Sequence, residues 1–190
     1  MSSRILTPAN QLTLLRMVFI PVFVILLVYE HLGWAFAVFI LAGVTDGLDG
    51  LMARWLKQKT SLGAYLDPLA DKLLLTTSFV VLSIRSLGLP NPVPLWLTIL
   101  VISRDVILIA SALIIVISTE HRTFPPSVYG KATTFFQILT VVVVLYLNYK
   151  RVSGGIFLSL LFLVTAGLTV YSGLHYVYRG KKLVSEASAT

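Results

Sequence analysis

The 190-residue chain is 57% hydrophobic and 12% charged, with 15 basic against 8 acidic residues and a formal charge of +7. A soluble domain carries roughly twice that charged fraction, so the composition argues against a water-surrounded globule, and the lack of cysteine excludes disulfides and thiolate metal ligands. The basic residues are scattered rather than patched, which points to anionic headgroups and substrate phosphates as partners and not to nucleic acid.

Six apolar runs follow one another at about 12–29, 33–53, 65–84, 93–117, 128–148 and 155–178. The first is too long for a signal-peptide core and lacks a small-residue cleavage site, so it is read as retained. A bilayer-spanning helix takes about 20 residues, and backbone groups in lipid must be satisfied within their own segment. The fold class expected is therefore all-α, a polytopic membrane protein of six transmembrane helices. Short breaks with turn chemistry separate the runs, at His31-Leu32-Gly33, Gly88-Leu89-Pro90-Asn91-Pro92, Pro125-Pro126-Ser127 and Ser153-Gly154-Gly155. No internal repeat or domain boundary is visible; residues 1–182 read as a single membrane domain and 183–190 as a disordered polar tail. With both termini cytoplasmic, ten loop and flanking cations fall on the cytoplasmic side and only Arg85, Lys150 and Arg151 on the other, which satisfies the positive-inside rule. Trp34, Trp55, Trp96, Tyr146, Tyr149, Tyr176 and Tyr178 fall near the proposed span ends, where interfacial anchoring accounts for them.

Five of the eight acidic residues lie inside apolar runs: Asp46, Asp49, Asp67, Asp71 and Asp105. An ionisable side chain at mid-bilayer costs about 2.5–3.5 kcal/mol, so the first four together cost on the order of 10 kcal/mol unless something neutralises them. Asp46 and Asp49 are spaced i,i+3, and Gly50 and Ala53 continue their helix face; Asp67 and Asp71 are spaced i,i+4, with Gly63 one turn before them. Two antiparallel helices joined around Lys57–Ser61 can thus oppose two carboxylate pairs. Oxygen-only ligands suit hard cations such as Mg²⁺ or Mn²⁺, and four carboxylates suit a two-metal site that clamps a transferring phosphoryl group. Small residues at Gly47, Gly50, Ala53 and Gly63 permit close approach of a nucleotide or a helix. Two other readings compete: a helix-gluing network with Arg54, Lys72 and Arg104, and a divalent-cation transporter or channel. Transporters often carry repeats and broken helices in both halves, whereas here the acids concentrate in one helical hairpin.

The segment Asp46-Gly47-Leu48-Asp49-Gly50-Leu51-Met52-Ala53-Arg54, then eight residues to Gly63, then Asp67 and Asp71, fills every fixed position of D-x2-D-G-x2-A-R-x8-G-x3-D-x3-D. It resembles the signature of the CDP-alcohol phosphotransferases, and Asn10-Gln11-Leu12-Thr13-Leu14-Leu15-Arg16 is similar to that family's N-terminal segment. The resemblance implies six transmembrane helices, a homodimer, and metal-dependent transfer of a phosphatidyl group from CDP-diacylglycerol to an alcohol with release of CMP. It also implies a place in the cytoplasmic (inner) membrane with the active site facing the cytoplasm. Carried over by position, Asp46, Asp49, Asp67 and Asp71 are ligands of two Mg²⁺ or Mn²⁺ ions, and Asp71 is also the general base. Asn10, Thr13, Asp49, Gly50, Ala53, Arg54 and Gly63 form the nucleotide and diphosphate site.

Leu66-Asp67-Pro68-Leu69-Ala70-Asp71-Lys72 and the Gly130-Lys131, Thr134, Gln137 stretch resemble the phosphatidylglycerophosphate synthases and the related cardiolipin synthases. The acceptor implied first is glycerol 3-phosphate; the alternative is phosphatidylglycerol. Both are anionic, and Arg104, Arg122 and Lys131 are candidates to hold the acceptor, arginine being favoured where a phosphate needs two-point contacts. Ser103-Arg104-Asp105 followed by the apolar run Val106–Ile117 departs from the glycerol-3-phosphate enzymes, which tend to carry Arg-Glu and a further arginine; the cardiolipin synthases look closer at this point. Arg104–Asp105 is equally compatible with a buried structural pair, and Lys131 with an end-of-helix charge. His31, His121 and His175 are far apart and lie outside the aspartate motif.

Overall fold

A computed structural model describes the backbone of residues 8–56, 61–118 and 128–187, and the side chains of 15–45, 72–111 and 128–178. Every described element is helical: α1 (Pro8–Val28), α2 (Leu32–Leu56), α3 (Ser61–Leu82), a single 3₁₀ turn (Arg85–Leu87), α4 (Leu95–Ser118), α5 (Val128–Lys150) and α6 (Gly155–Ala187). Each α-helix overlaps one of the six apolar runs, so the all-α expectation is met. Two details differ. The 3₁₀ turn has no counterpart among the apolar runs, and α6 continues to Ala187, beyond the end of the last run at 178. A polar composition beyond Tyr178 removes the burial signal from that stretch, but not its capacity to prolong a helix that is already nucleated.

The chain forms two compact units. The first comprises residues 1–92 and 141–153, the second 93–140 and 154–190, so α5 contributes its C-terminal half to one and its N-terminal half to the other. In the first unit α1 packs on both α2 and α3. Phe23 and Phe39, both buried, meet with ring centroids 5.8 Å apart, and Leu27, Ala35, Ala42, Phe79 and Leu82 are inaccessible to solvent. Gly33 lies so close to Tyr149 that a Cβ there would stand 2.9 Å from the ring; the glycine lets the first turn of α2 approach the end of α5.

α1 and α5 end in the same way. His31 N–H donates to the Leu26 carbonyl and Glu30 N–H to that of Leu27; Val152 and Arg151 repeat the pattern on Leu147 and Asn148. Each is a Schellman closure, whose turning residue takes a left-handed conformation and is usually glycine. Here it is Glu30 (φ +58°) and Arg151 (φ +54°), which costs on the order of 1 kcal/mol at each position.

In the second unit α4 packs on α6, and the first half of α5 joins α6 through a polar seam. Thr133 Oγ1 donates to the Leu168 carbonyl at 3.0 Å, Gln137 Nε2 to Thr169 at 3.5 Å, and the hydroxyls of Thr140 and Thr165 lie 2.8 Å apart. All five of these polar side chains are buried, while Phe135, Leu160, Leu163, Val164 and Leu174 are exposed. Buried threonines and a glutamine beside so many large exposed apolar side chains on the same helices are unlike the surface of a water-soluble helical protein. Among the described residues, Val128–Lys150 and Gly155–Tyr178 are long and apolar enough to cross a membrane, and shorter apolar helical stretches lie at Leu15–Val28, Leu32–Thr45 and Lys72–Leu82.

Candidate active site

The aspartate motif falls on two consecutive helices of the first unit. α2 is unbroken from Leu32 to Leu56, so Asp46 and Asp49 are one turn apart, and Gly50 and Ala53 follow at one and two turns from Asp46. α3 is unbroken from Ser61 to Leu82, which aligns the backbone positions of Gly63, Asp67 and Asp71 at successive turns. Helicity across both segments supplies the period that the motif's spacing requires. The side chains of Asp46, Asp49, Gly47, Gly50, Ala53, Arg54, Gly63, Asp67 and Asp71 lie outside the described residues. So do those of Asn10 and Thr13, whose backbones belong to the first two turns of α1. Arg122 and the segment around it lie wholly outside the described residues.

The donor set fits a hard divalent cation by its chemistry: four carboxylates, no imidazole within the motif and no thiol in the chain. The helical backbone brings two carboxylate positions to one turn of α2 and two to one turn of α3. Immediately before the motif, Thr45 turns its hydroxyl back onto the Ala42 carbonyl at 2.9 Å, which satisfies that hydroxyl within α2.

Arg16 is the residue whose burial the sequence conceals. It stands on α1 in the same unit and is only 1% exposed, among the largest fully buried side chains described. From sequence it counts as a cation at the cytoplasmic end of the first run. Its position inside that run, followed by no other cation before Lys57 except Arg54, was the available signal.

In the second unit Arg104 and Asp105 form an ion pair at 2.9 Å, with side chains 5% and 11% exposed. Arg104 also donates to Ser172 Oγ at 3.0 Å, and its guanidinium carbon lies 6.0 Å from the centre of the Tyr176 ring. Gly173 gives its stem room, a Cβ there standing 3.7 Å from Arg104 Cγ. Arg104 thus lies in a cradle formed by one turn of α6. Charge, hydrogen bond and ring together offset the cost of burying a guanidinium. Lys131, by contrast, is exposed on the first turn of α5. Of the three proposed acceptor cations, then, one is internally paired, one is open and one lies outside the described residues. His31 and His175 are also described. His175 packs against Tyr129 and Tyr171, with ring centroids 5.1 and 6.4 Å away, and His31 lies at the α1–α2 turn; neither belongs to the motif.

The family model described as CDP-alcohol phosphatidyltransferase matches residues 6–171. A human protein named cardiolipin synthase (CMP-forming) is 34% identical over 94% of this chain and 63% of its own length. A Pseudomonas fluorescens protein named CDP-diacylglycerol–glycerol-3-phosphate 3-phosphatidyltransferase is 36% identical over 88% of this chain and 87% of its own. The chain spans less than two thirds of the human relative's length and most of the bacterial one's.

Proposed function

Because the chain belongs to the CDP-alcohol phosphatidyltransferase family, we propose that it is an integral membrane enzyme that transfers a phosphatidyl group from CDP-diacylglycerol to an anionic alcohol, releasing CMP. The observation that carries the reading is the pairing of aspartate positions one turn apart on α2 and again on α3, within otherwise apolar helices. Residues 1–182 act as one catalytic domain, crossing the bilayer six times with both termini and the aspartates at the cytoplasmic side of the inner membrane, and the working form is a homodimer. The exposed apolar surface of α5 and α6 supports the bilayer. A transporter gains no support, since the membrane-buried polar groups of the second unit pair with one another instead of lining a second acidic path.

The reaction we propose assigns each motif residue a role. The acceptor's hydroxyl oxygen bonds to the phosphorus that carries diacylglycerol, the bond from that phosphorus to the bridging oxygen breaks, and CMP departs with that oxygen. Asp71 takes the hydroxyl proton as the new bond forms; a carboxylate within hydrogen-bond reach suits this role. Asp46, Asp49, Asp67 and Asp71 hold two divalent ions, Mg²⁺ or Mn²⁺, which when bound neutralise the charge developing on the diphosphate. Asn10, Thr13, Asp49, Gly50, Ala53, Arg54 and Gly63 hold the nucleotide and its diphosphate, Arg54 as the cation and the small residues by leaving room.

The acceptor we favour is phosphatidylglycerol. Arg104 is buried and balanced by Asp105, and beyond it Val106, Ile107 and Ile109 are exposed. This segment of α4 therefore presents an apolar surface with little free positive charge. A phosphodiester lipid needs fewer cations than a phosphate monoester and brings its own acyl chains. Glycerol 3-phosphate, placed first on sequence grounds, is the second reading; exposed Lys131 and the extent of the Pseudomonas fluorescens match favour it. In either case Arg122 and Lys131 are the acceptor cations proposed, with Arg104, expected on sequence grounds to join them, held by Asp105 and contributing little free charge. Incubating purified protein with CDP-diacylglycerol, Mn²⁺ or Mg²⁺ and each alcohol tests the proposal. CMP release with phosphatidylglycerol and formation of cardiolipin are expected. A product formed only from glycerol 3-phosphate overturns the acceptor, and no CMP release with any alcohol overturns the activity.

A further inference from the structure

At the opposite end of α2 from the aspartates, roughly 20 Å away along the helix axis at 1.5 Å per residue, a cavity of about 620 Å³ opens in the first unit. It is within the size range of small-molecule sites, roughly 300–1,000 Å³. Its wall is aromatic and small (Trp34, Phe36, Ala37, Tyr149), and its mouth carries Glu30, His31 and Arg151. The Phe36 ring lies 6.0 Å from that of Tyr146, extending the aromatic wall along α5.

The mouth is made by the two Schellman closures. Glu30 and Arg151 occupy the turning positions where glycine would be unstrained. What the two residues add over glycine is a carboxylate and a guanidinium facing one another at 3.8 Å, with side chains 67% and 72% exposed. At that separation they are not hydrogen-bonded, and an exposed pair of this kind contributes little. Lys150 adds a second cation nearby, its Nζ 5.0 Å from the centre of the Tyr149 ring. The cavity therefore offers a cationic side, a single carboxylate opposite, and an apolar aromatic wall.

We infer that this cavity holds the headgroup of a membrane phospholipid that carries both a phosphate and a primary ammonium. Arg151, with Lys150 beside it, takes the phosphate, and Glu30 takes the ammonium. One weak pair is thereby exchanged for two charge-assisted ones, while the lipid's chains follow the aromatic wall. Trp34 is 71% exposed, as a side chain at the headgroup level should be. The site is separate from the transfer chemistry and lies in the other leaflet. It rests on the proposed bilayer embedding, in which the α1–α2 turn faces away from the cytoplasm.

The test is native mass spectrometry of the purified full-length protein in detergent, titrated with phosphatidylethanolamine, phosphatidylcholine and phosphatidylglycerol of identical acyl chains. Phosphatidylethanolamine is expected to bind about fivefold or more tightly than phosphatidylcholine, because its primary ammonium donates a hydrogen bond to Glu30 that a quaternary ammonium, equally charged but without N–H, cannot. Glu30→Gln should abolish that preference, and Arg151→Gln should weaken all three lipids. Ala37→Phe, which fills the cavity from α2, should block binding and keeps the test decisive should Arg151→Gln fail to fold. Equal binding of the three lipids, or a preference that survives Glu30→Gln, overturns the inference. So does a dimer of the chain that Glu30→Gln disperses, since a second copy is then the occupant. Alkaline extraction of membranes separates the bilayer embedding from the lipid site. A chain that washes off removes the bilayer reading and this site with it; a chain that stays but does not discriminate among lipids removes only the site.

Discussion

Asn91 and Asn148 hold each other through both backbone and side chain. The Asn91 N–H donates to Asn148 Oδ1 at 2.8 Å, and Asn148 Nδ2 donates back to the Asn91 carbonyl at 3.1 Å, with both residues buried. Asn91 Nδ2 also donates to the Val152 carbonyl at 2.8 Å, so the loop before α4 is tied to the closing turn of α5. Asn148→Leu removes the reciprocal contacts from a buried backbone segment and should cost about 1–3 kcal/mol. A lowered melting temperature in detergent, without change in metal affinity, checks it.

The Arg104–Asp105 pair predicts an asymmetry. Asp105→Asn leaves a buried guanidinium without its countercharge and should cost about 3–5 kcal/mol, whereas the double replacement Arg104→Met with Asp105→Leu should lie much closer to wild type. Thermal unfolding of these two variants beside the wild type measures this apart from any role in acceptor binding. A harmless Asp105→Asn would show that the pair contributes little to the fold.

Gly33→Val should be destabilising by about 1–3 kcal/mol through overpacking, because its Cβ would stand 2.9 Å from the Tyr149 ring. Combining it with Tyr149→Ala should recover part of the loss. Additive losses in the double variant would show that the glycine serves something other than this contact.

Asp71→Asn keeps the size of the side chain and removes its basicity. CMP release should fall by a factor on the order of 10²–10⁴, as for loss of a general base. Nucleotide binding should persist, and full activity in this variant would remove Asp71 from the proton transfer.

The elements of the fold were legible because each apolar run had the length of one helix and ended in turn residues. The register of the motif was legible because carboxylates in apolar surroundings are costly enough that their spacing carries information. The polar seam is not legible in the sequence, although Thr133, Gln137 and Thr140 recur at four- and three-residue intervals and Thr165, Thr169 and Ser172 do the same. Threonine and serine in an apolar helix can bond back to their own backbone, as Thr140 does to Phe136 at 2.8 Å, so their pattern alone does not require a partner. The depth of Arg16 and the pairing of Glu30 with Arg151 depend on helices distant in sequence. The left-handed turns at Glu30 and Arg151 were hidden because glycine, the usual marker, is missing from both.

If the aspartates of α2 and α3 are tolerated in apolar helices because they share divalent cations, as we propose, Mn²⁺ titration followed by electron paramagnetic resonance will detect those ions. The purified chain should take up two ions, and Asp46→Ala, Asp49→Ala and Asp67→Ala should each lose affinity. Undiminished Mn²⁺ binding in all three variants would mean that these carboxylates do not share metal ions.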